Sequence, residues 1–239
     1  MSIQEILFLI VIFLTNIIQA ITGFAGTVLA MPVSLRLVGE NVAKPVLNLA
    51  AILICAWIVI RHWREISWHD FFRMTLFVGI GFGLGYAIAL IPLDKEILLK
   101  LYGLIVSLIA IVYMTTDLVH ADIPHWLLLV TLIFGGILHS LYVSGGPLIV
   151  IYAMKRFKDK NQFRATLSLM WIVLNSIMFA TQMVSGLFNP HVWILVAIAF
   201  GVSIASYFIG KKLAHKLELE HFMKITYVLL FISGISLVV

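Results

Sequence analysis

Apolar residues in this chain do not alternate with polar ones. They run on without interruption, over about residues 4–22, 43–60, 73–91, 98–116, 125–142, 164–185, 192–210 and 222–239. Each run is close to the roughly 20 residues that a helix needs to cross a bilayer. Continuous runs in place of a two-residue period argue against a membrane β-barrel. Two runs resume after a break, the first to about residue 35 and the fifth to about residue 154. The pattern predicts an all-α integral membrane protein with about eight transmembrane helices.

Composition strengthens this reading. The 239 residues are 62% hydrophobic and 11% charged, with a mean hydropathy of +1.11. Soluble chains are about 45–50% apolar and about 25% charged, so a soluble domain, a disordered chain and a nucleic-acid binder are excluded. Eight helices use roughly 160 residues, which leaves no room for a soluble catalytic domain, and no enzyme is expected. The single cysteine, Cys55, forms no intrachain disulfide. The histidine spacings carry no metal signature, so neither metal nor cofactor is expected. Met1 to Ala20 lacks a basic leader and reads as the first helix rather than a removed signal peptide.

If every run crosses once, Arg36, Lys44, Lys95, Lys100, Lys155, Arg156, Lys158, Lys160, Arg164, Lys211, Lys212, Lys216 and Lys224 share one side. Arg61, Arg64 and Arg73 share the other. Cytoplasmic loops are enriched in Lys and Arg. The first side is then cytoplasmic, both termini face outward, and the location is the cytoplasmic (inner) membrane. Trp57, Trp63, Trp68, Trp126 and Trp193 lie near the outer ends as an interfacial belt, with Trp171 the exception.

The chain repeats itself at an offset of 120 residues. Gly26 falls on Gly146, Arg36 on Arg156, Asn41 on Asn161, Lys44 on Arg164 and Gln19 on His139. This predicts two homologous four-helix halves, 1–118 and 121–239, each with a broken first helix, together forming one transport domain. Four crossings per half would give the halves one orientation, about an axis along the membrane normal. A re-entrant hairpin at each break would change that parity.

The breaks are the candidate site. The first reads Gln19-Ala20-Ile21-Thr22-Gly23-Phe24-Ala25-Gly26; the second runs from His139 through Tyr142, Ser144, Gly145 and Gly146 to Pro147. Thirty residues of continuous helix would span about 45 Å, too long for one straight crossing. Glycine unwinds the backbone, and proline suits the first turn of a new helix. A helix that starts in mid-membrane points unpaired N–H groups and a positive dipole end inward. Two such starts make an anion cradle, whereas the structural alternative is close packing through small residues. That alternative suits Gly79, Gly81, Gly83, Gly85 and Gly135.

Thr22, Gly23, Phe24 and Gly26 of the first break, with Tyr142, Ser144, Gly145 and Gly146 of the second, are the expected substrate contacts. Lys44 and Arg164 supply positive charge at matched positions, or else snorkel to headgroups. Asn48 and Ser168 follow them four residues on, and Gln19 and His139 complete the set. His139 is the histidine well inside a run, a candidate for binding substrate or carrying a proton, or else a satisfied core residue. All eleven acidic residues lie in loops or near helix ends. Cation carriers keep a carboxylate at mid-membrane, so its absence favours a small anionic substrate. The other expected partner is the lipid bilayer; nucleic acid is excluded, and a homo-oligomer is left open.

At these residues the chain resembles the TauE/SafE family of sulfite and organosulfonate transporters along its whole length. The family's halves each open with a glycine-rich motif followed by an apolar stretch and proline. Here the first copy is Gly23-Phe24-Ala25-Gly26-Thr27 with Pro32 downstream, and Ala25 and Thr27 stand where glycines occur. The second is Val143-Ser144-Gly145-Gly146-Pro147-Leu148, followed by Lys155 and Phe163-Arg164-Ala165-Thr166. The resemblance implies transport of small sulfur-containing or carboxylated anions, often outward. The rival functions are an anion channel built on the same cradle and an intramembrane serine hydrolase using Ser144 and His139. For the hydrolase, a nucleophile and base five residues apart on one kinked helix are poorly placed to meet.

Overall fold

The structure, a computed structural model, describes all residues except 23–25, 93, 118–120, 215–218 and 239. The described residues form helices and no strand. In chain order they are α1 (Ile3–Thr22), α2 (Gly26–Val38), α3 (Glu40–His62), a 3₁₀ turn (Trp63–Glu65), α4 (Trp68–Ala89) and α5 (Lys95–Thr115). Then follow α6 (His125–Tyr142), α7 (Gly146–Arg156), α8 (Lys160–Val184), α9 (Pro190–Ala214) and α10 (Leu219–Val238). Among the described residues α1, α3, α4, α5, α6, α8 and α9 are long and apolar enough to cross a membrane, and α10 has 20 residues. The chain is a multi-pass membrane protein.

Local chemistry sets several boundaries. Asp94 caps α5 by accepting from Glu96 N, and Asp159 caps α8 by accepting from Gln162 N at 2.8 Å. Gly39, with φ 74°, turns α2 into α3 in a single residue.

The breaks turn the chain back. α2 has 13 residues and α7 has 11, about 20 Å and 16 Å of helix, too short for a core of about 30 Å. A methyl group added at Gly26 would fall on the Gln19 side chain of α1. One added at Gly135 of α6 would come within 2.6 Å of Ile149 and 3.2 Å of the Gly145 carbonyl, both beyond the turn. The end of α7 therefore returns to the level of the start of α6. There Lys155 donates to the Ala121 carbonyl, Arg73 of α4 meets His125, and Arg156 pairs with Asp70.

The opposite face gathers the start of α1, where Glu5 accepts from His191 at the head of α9. It also gathers the end of α2, the start of α5 and the end of α10, which share a cavity lined by Arg36, Glu96, Lys100 and Leu237. The expectation of about eight membrane helices holds approximately, with seven candidates among the described residues, and the two broken segments bend back on themselves. α1–α2 and α6–α7 each fold back as a helical hairpin, and α3–α5 and α8–α10 are the helices that follow them. Three helices follow each hairpin, and the hairpins start at opposite ends of the bundle, so α6–α10 runs inverted relative to α1–α5.

The hairpins enter from opposite faces and flank a central pair, α3 packed on α8, with α4 against α6, α1 against α9 and α5 against α10. Polar side chains point inward, among them Asn48, His139, Thr166, Ser168, Asn175 and Gln182. Leu76, Ile80 and Leu84 form an exposed stripe on α4, apolar as a lipid-facing surface requires.

The second hairpin is pinned where it leaves the membrane. Asp70, 6% exposed, accepts from Arg156 Nε at 2.6 Å and from Ser67 Oγ at 2.7 Å. Ser67 N donates in turn to Thr166 Oγ1 of α8 at 3.0 Å. Removing one partner of a fully buried pair costs about 3–5 kcal/mol. The Arg156 side chain is 51% exposed, and water recovers much of that loss, so Asp70→Asn should cost about 1–2 kcal/mol. Thermal unfolding in detergent checks this, and an unchanged midpoint would show the pair to be idle.

Candidate functional site

The tip of the second hairpin is built from strained and space-limited backbone. α6 ends at Tyr142, and Val143 follows in the left-handed region with φ 56° and ψ 28°. A β-branched residue there is a genuine outlier, costing about 1–2 kcal/mol. A methyl group at Gly145 would fall on the Gly135 carbonyl, so that position admits only glycine. Pro147 occupies the first turn of α7, where its missing N–H is harmless. Tyr113 Oη donates to the Pro147 carbonyl at 2.8 Å, and Tyr102 stacks on Tyr142 with ring centroids 4.2 Å apart. At the first tip, Gly23 and Phe24 lie outside the described residues, as does the side chain of Thr22.

The two tips open on one small cavity of ≈ 30 Å³. Gln19, Thr27 and Val28 reach it from the first hairpin, and His139, Val143, Ser144 and Gly146 from the second. Ala51 and Cys55 of α3, with Trp171 and Asn175 of α8, form its sides. A second cavity of ≈ 20 Å³ shares Gln19, Cys55 and Trp171 and adds Asn16, Arg164 and Ser168. A third, of ≈ 10 Å³, brings Gly26 and Thr27 to Asn16 and Gln19. These volumes hold about one water each, or two in the largest, so the centre is narrow.

Buried hydrogen bonds fix the polar wall. His139 Nε2 donates to Asn175 Oδ1 at 2.8 Å, and its ring lies against Trp171 at 4.8 Å between centroids. Asn48 Nδ2 donates to the Asn175 carbonyl and to Gln182 Oε1, both at 3.1 Å. Ser144 Oγ donates to the Tyr142 carbonyl at 2.9 Å and not to the open Nδ1 of His139, so no nucleophile–base hydrogen bond of the kind a hydrolase needs is formed.

The matched cations part company. Arg164 borders the second cavity, half-buried. Lys44 bonds Glu40 at 2.6 Å and lies over the Tyr142 ring at 5.0 Å from its centroid. The structure thus groups Gln19, Gly26, His139, Ser144, Gly146, Arg164 and Ser168 around the cavities and places Lys44, Asn48 and Tyr142 to one side.

Sequence reasoning did not single out Asn16, Thr27, Cys55, Asn175 and Gln182 as contacts. The available signal was neutral polar side chains inside apolar runs, which are as informative as charges. Trp171, out of place in an interfacial belt, is a wall of the site.

Opposed helical hairpins meeting at a buried polar centre, with crossing helices around them, are an architecture of membrane transporters. The chain belongs to the sulfite exporter TauE/SafE family, whose model matches residues 8–237. No curated protein and no solved structure matches it. The family is one of membrane transporters for sulfite and related anions, and the chain is a transporter of that class.

Proposed function

We propose that the protein is a secondary carrier that exports a small sulfur oxyanion, bound between the starts of α2 and α7. One observation carries this reading. Gly146 and Thr27, at the N-terminal ends of two inverted half-helices, line a single cavity with Gln19 and His139, which are themselves 120 residues apart. Each helix start contributes about half a positive charge. Among the described residues no carboxylate lines the three central cavities, which suits an anion. We further propose that 1–118 and 121–239 are homologous inverted repeats, and that exchange of their conformations opens the cavity to one side and then the other. A channel is the second reading; a centre with room for only one or two waters favours a carrier.

Reconstituted protein should show saturable sulfite flux stimulated by sulfite on the far side. Gly26→Val should lower sulfite binding more than tenfold in a folded protein, because the added side chain drives Gln19 into the cavity. Non-saturating flux would favour the channel, and wild-type affinity in the variant would show that Gly26 serves packing.

Sidedness follows from the hairpins. Arg61, Arg64, Arg73, Arg156, Lys158, Lys211 and Lys212 lie at one face, and Arg36, Lys44 and Lys100 at the other. We place the richer face in the cytoplasm and both termini outside, in the cytoplasmic membrane. In a Cys55→Ser background, cysteines at Arg64 and Lys158 should label from the same, inner face and one at Asn189 from the outer. Labelling of Arg64 and Lys158 from opposite faces would restore the eight-crossing topology.

A further inference from the structure

The starts of two helices offer N–H donors, and an anion that accepts from them need bring only lone pairs. His139 asks for something different. Its Nε2–H is committed to Asn175 Oδ1, so the neutral ring presents Nδ1 as an acceptor. Nδ1 is buried without a partner, in a side chain that is 3% exposed on the cavity wall. An unmet buried acceptor is costly, and a ligand that leaves it unmet is selected against. The nearby Ser144 hydroxyl already donates to the Tyr142 carbonyl.

Resting on the anion-transport reading, we infer that the site takes its oxyanion with one proton: an O–H of the ligand donates to His139 Nδ1 while its other oxygens accept from the starts of α2 and α7. The balance is simple. The ligand is a singly protonated oxyanion of charge −1. If its O–H bond breaks and Nδ1–H forms, the pair becomes an imidazolium and a dianion, and the total charge is still −1.

The groups that face His139 leave the proton nowhere else to go. α8 presents Trp171 and Asn175, α4 presents Phe82, and the turn before α7 presents Gly145. Across the cavity stand Gln19 of α1, Thr27 and Val28 of α2 and Cys55 of α3. Cys55 is the one titratable group in that set, none is acidic, and Arg164 stands in the adjoining cavity. A sulfonate or sulfate ion, with no acidic O–H, would set oxygen lone pairs against the Nδ1 lone pair.

Calorimetry of the purified protein with sulfite, sulfate and methanesulfonate tests this. Sulfite should bind with proton uptake above its second ionisation, and its affinity should fall there about tenfold for each pH unit. Sulfate and methanesulfonate should bind at least tenfold more weakly at every pH. His139→Gln, which copies Gln19 and brings amide donors, should bind sulfite without the pH slope and accept sulfate equally well. Sulfite binding that is independent of pH, or sulfate bound as tightly as sulfite by the wild type, would overturn the proton pairing and leave the anion site standing. Failure of all three anions to bind at any pH would overturn the anion reading, and this inference with it.

Discussion

Gly136→Val should give no folded protein. A methyl group at Gly136 of α6 would fall on the Val78 carbonyl of α4 and lie 2.8 Å from Phe82 N. Both neighbours are backbone, which cannot swing aside as a side chain can. The same approach is met from the other helix, where a methyl at Gly81 would fall on the Ile133 carbonyl and one at Gly85 would lie 2.7 Å from the Ile137 carbonyl. Separating α4 from α6 would expose the second hairpin along its length and strip the α4 contact from His139. Van der Waals contact between close backbones is what holds helices together in lipid, which supplies no hydrophobic drive. The control is Gly83→Ala on the same helix. Nothing lies within 4 Å of a methyl there, and alanine is favoured over glycine in a helix by about 1 kcal/mol. Gly83→Ala should melt at or above the wild-type temperature in detergent, and Gly136→Val should be recovered only as aggregate. A folded Gly136→Val with wild-type stability would show that the α4–α6 crossing is looser than described.

The contrast between Gly81 and Gly83 shows where sequence reading runs out. Glycines at every second position suggest packing throughout, yet helical geometry puts Gly81 and Gly85 on one face and turns Gly79 and Gly83 away. The helices themselves were legible, because an apolar run of about 20 residues has few other uses. The breaks were legible too, since α2 begins at Gly26 and α7 at Gly146, residues already matched by the repeat. The direction of the chain after each break was not. An apolar stretch reads the same whether it continues or folds back, and what folds it back is spatial: the left-handed Val143 and the seating of Gly145 on Gly135. In the site, His139 stood out by its charge chemistry. Asn175, which orients it, did not, because an amide in a helix gives no period and no motif.

Arg164→Gln should weaken anion binding about tenfold, or about 1.4 kcal/mol, and flatten its dependence on salt. Arg164 is the cation lining the central cavities and makes no ion pair among the described residues, so its charge is not cancelled locally. At an effective dielectric near 20, a unit charge roughly 8 Å from an anion is worth about 2 kcal/mol. A half-buried charge at that range is screened only in part by salt with a Debye length of about 10 Å. Lys44→Gln should matter less, though it occupies the matching position. Its ammonium is engaged by Glu40 and by the face of Tyr142, so much of its field is already answered. Lys212→Gln, at an exposed helix end, should leave affinity unchanged. Measured by titration at two ionic strengths, the order of loss is therefore Arg164, then Lys44, then Lys212. Equal losses at Arg164 and Lys44 would mean that the two hairpins present the anion with equivalent charge, and that the asymmetry between them has no bearing on binding. Wild-type affinity in Arg164→Gln would leave the helix starts as the source of attraction.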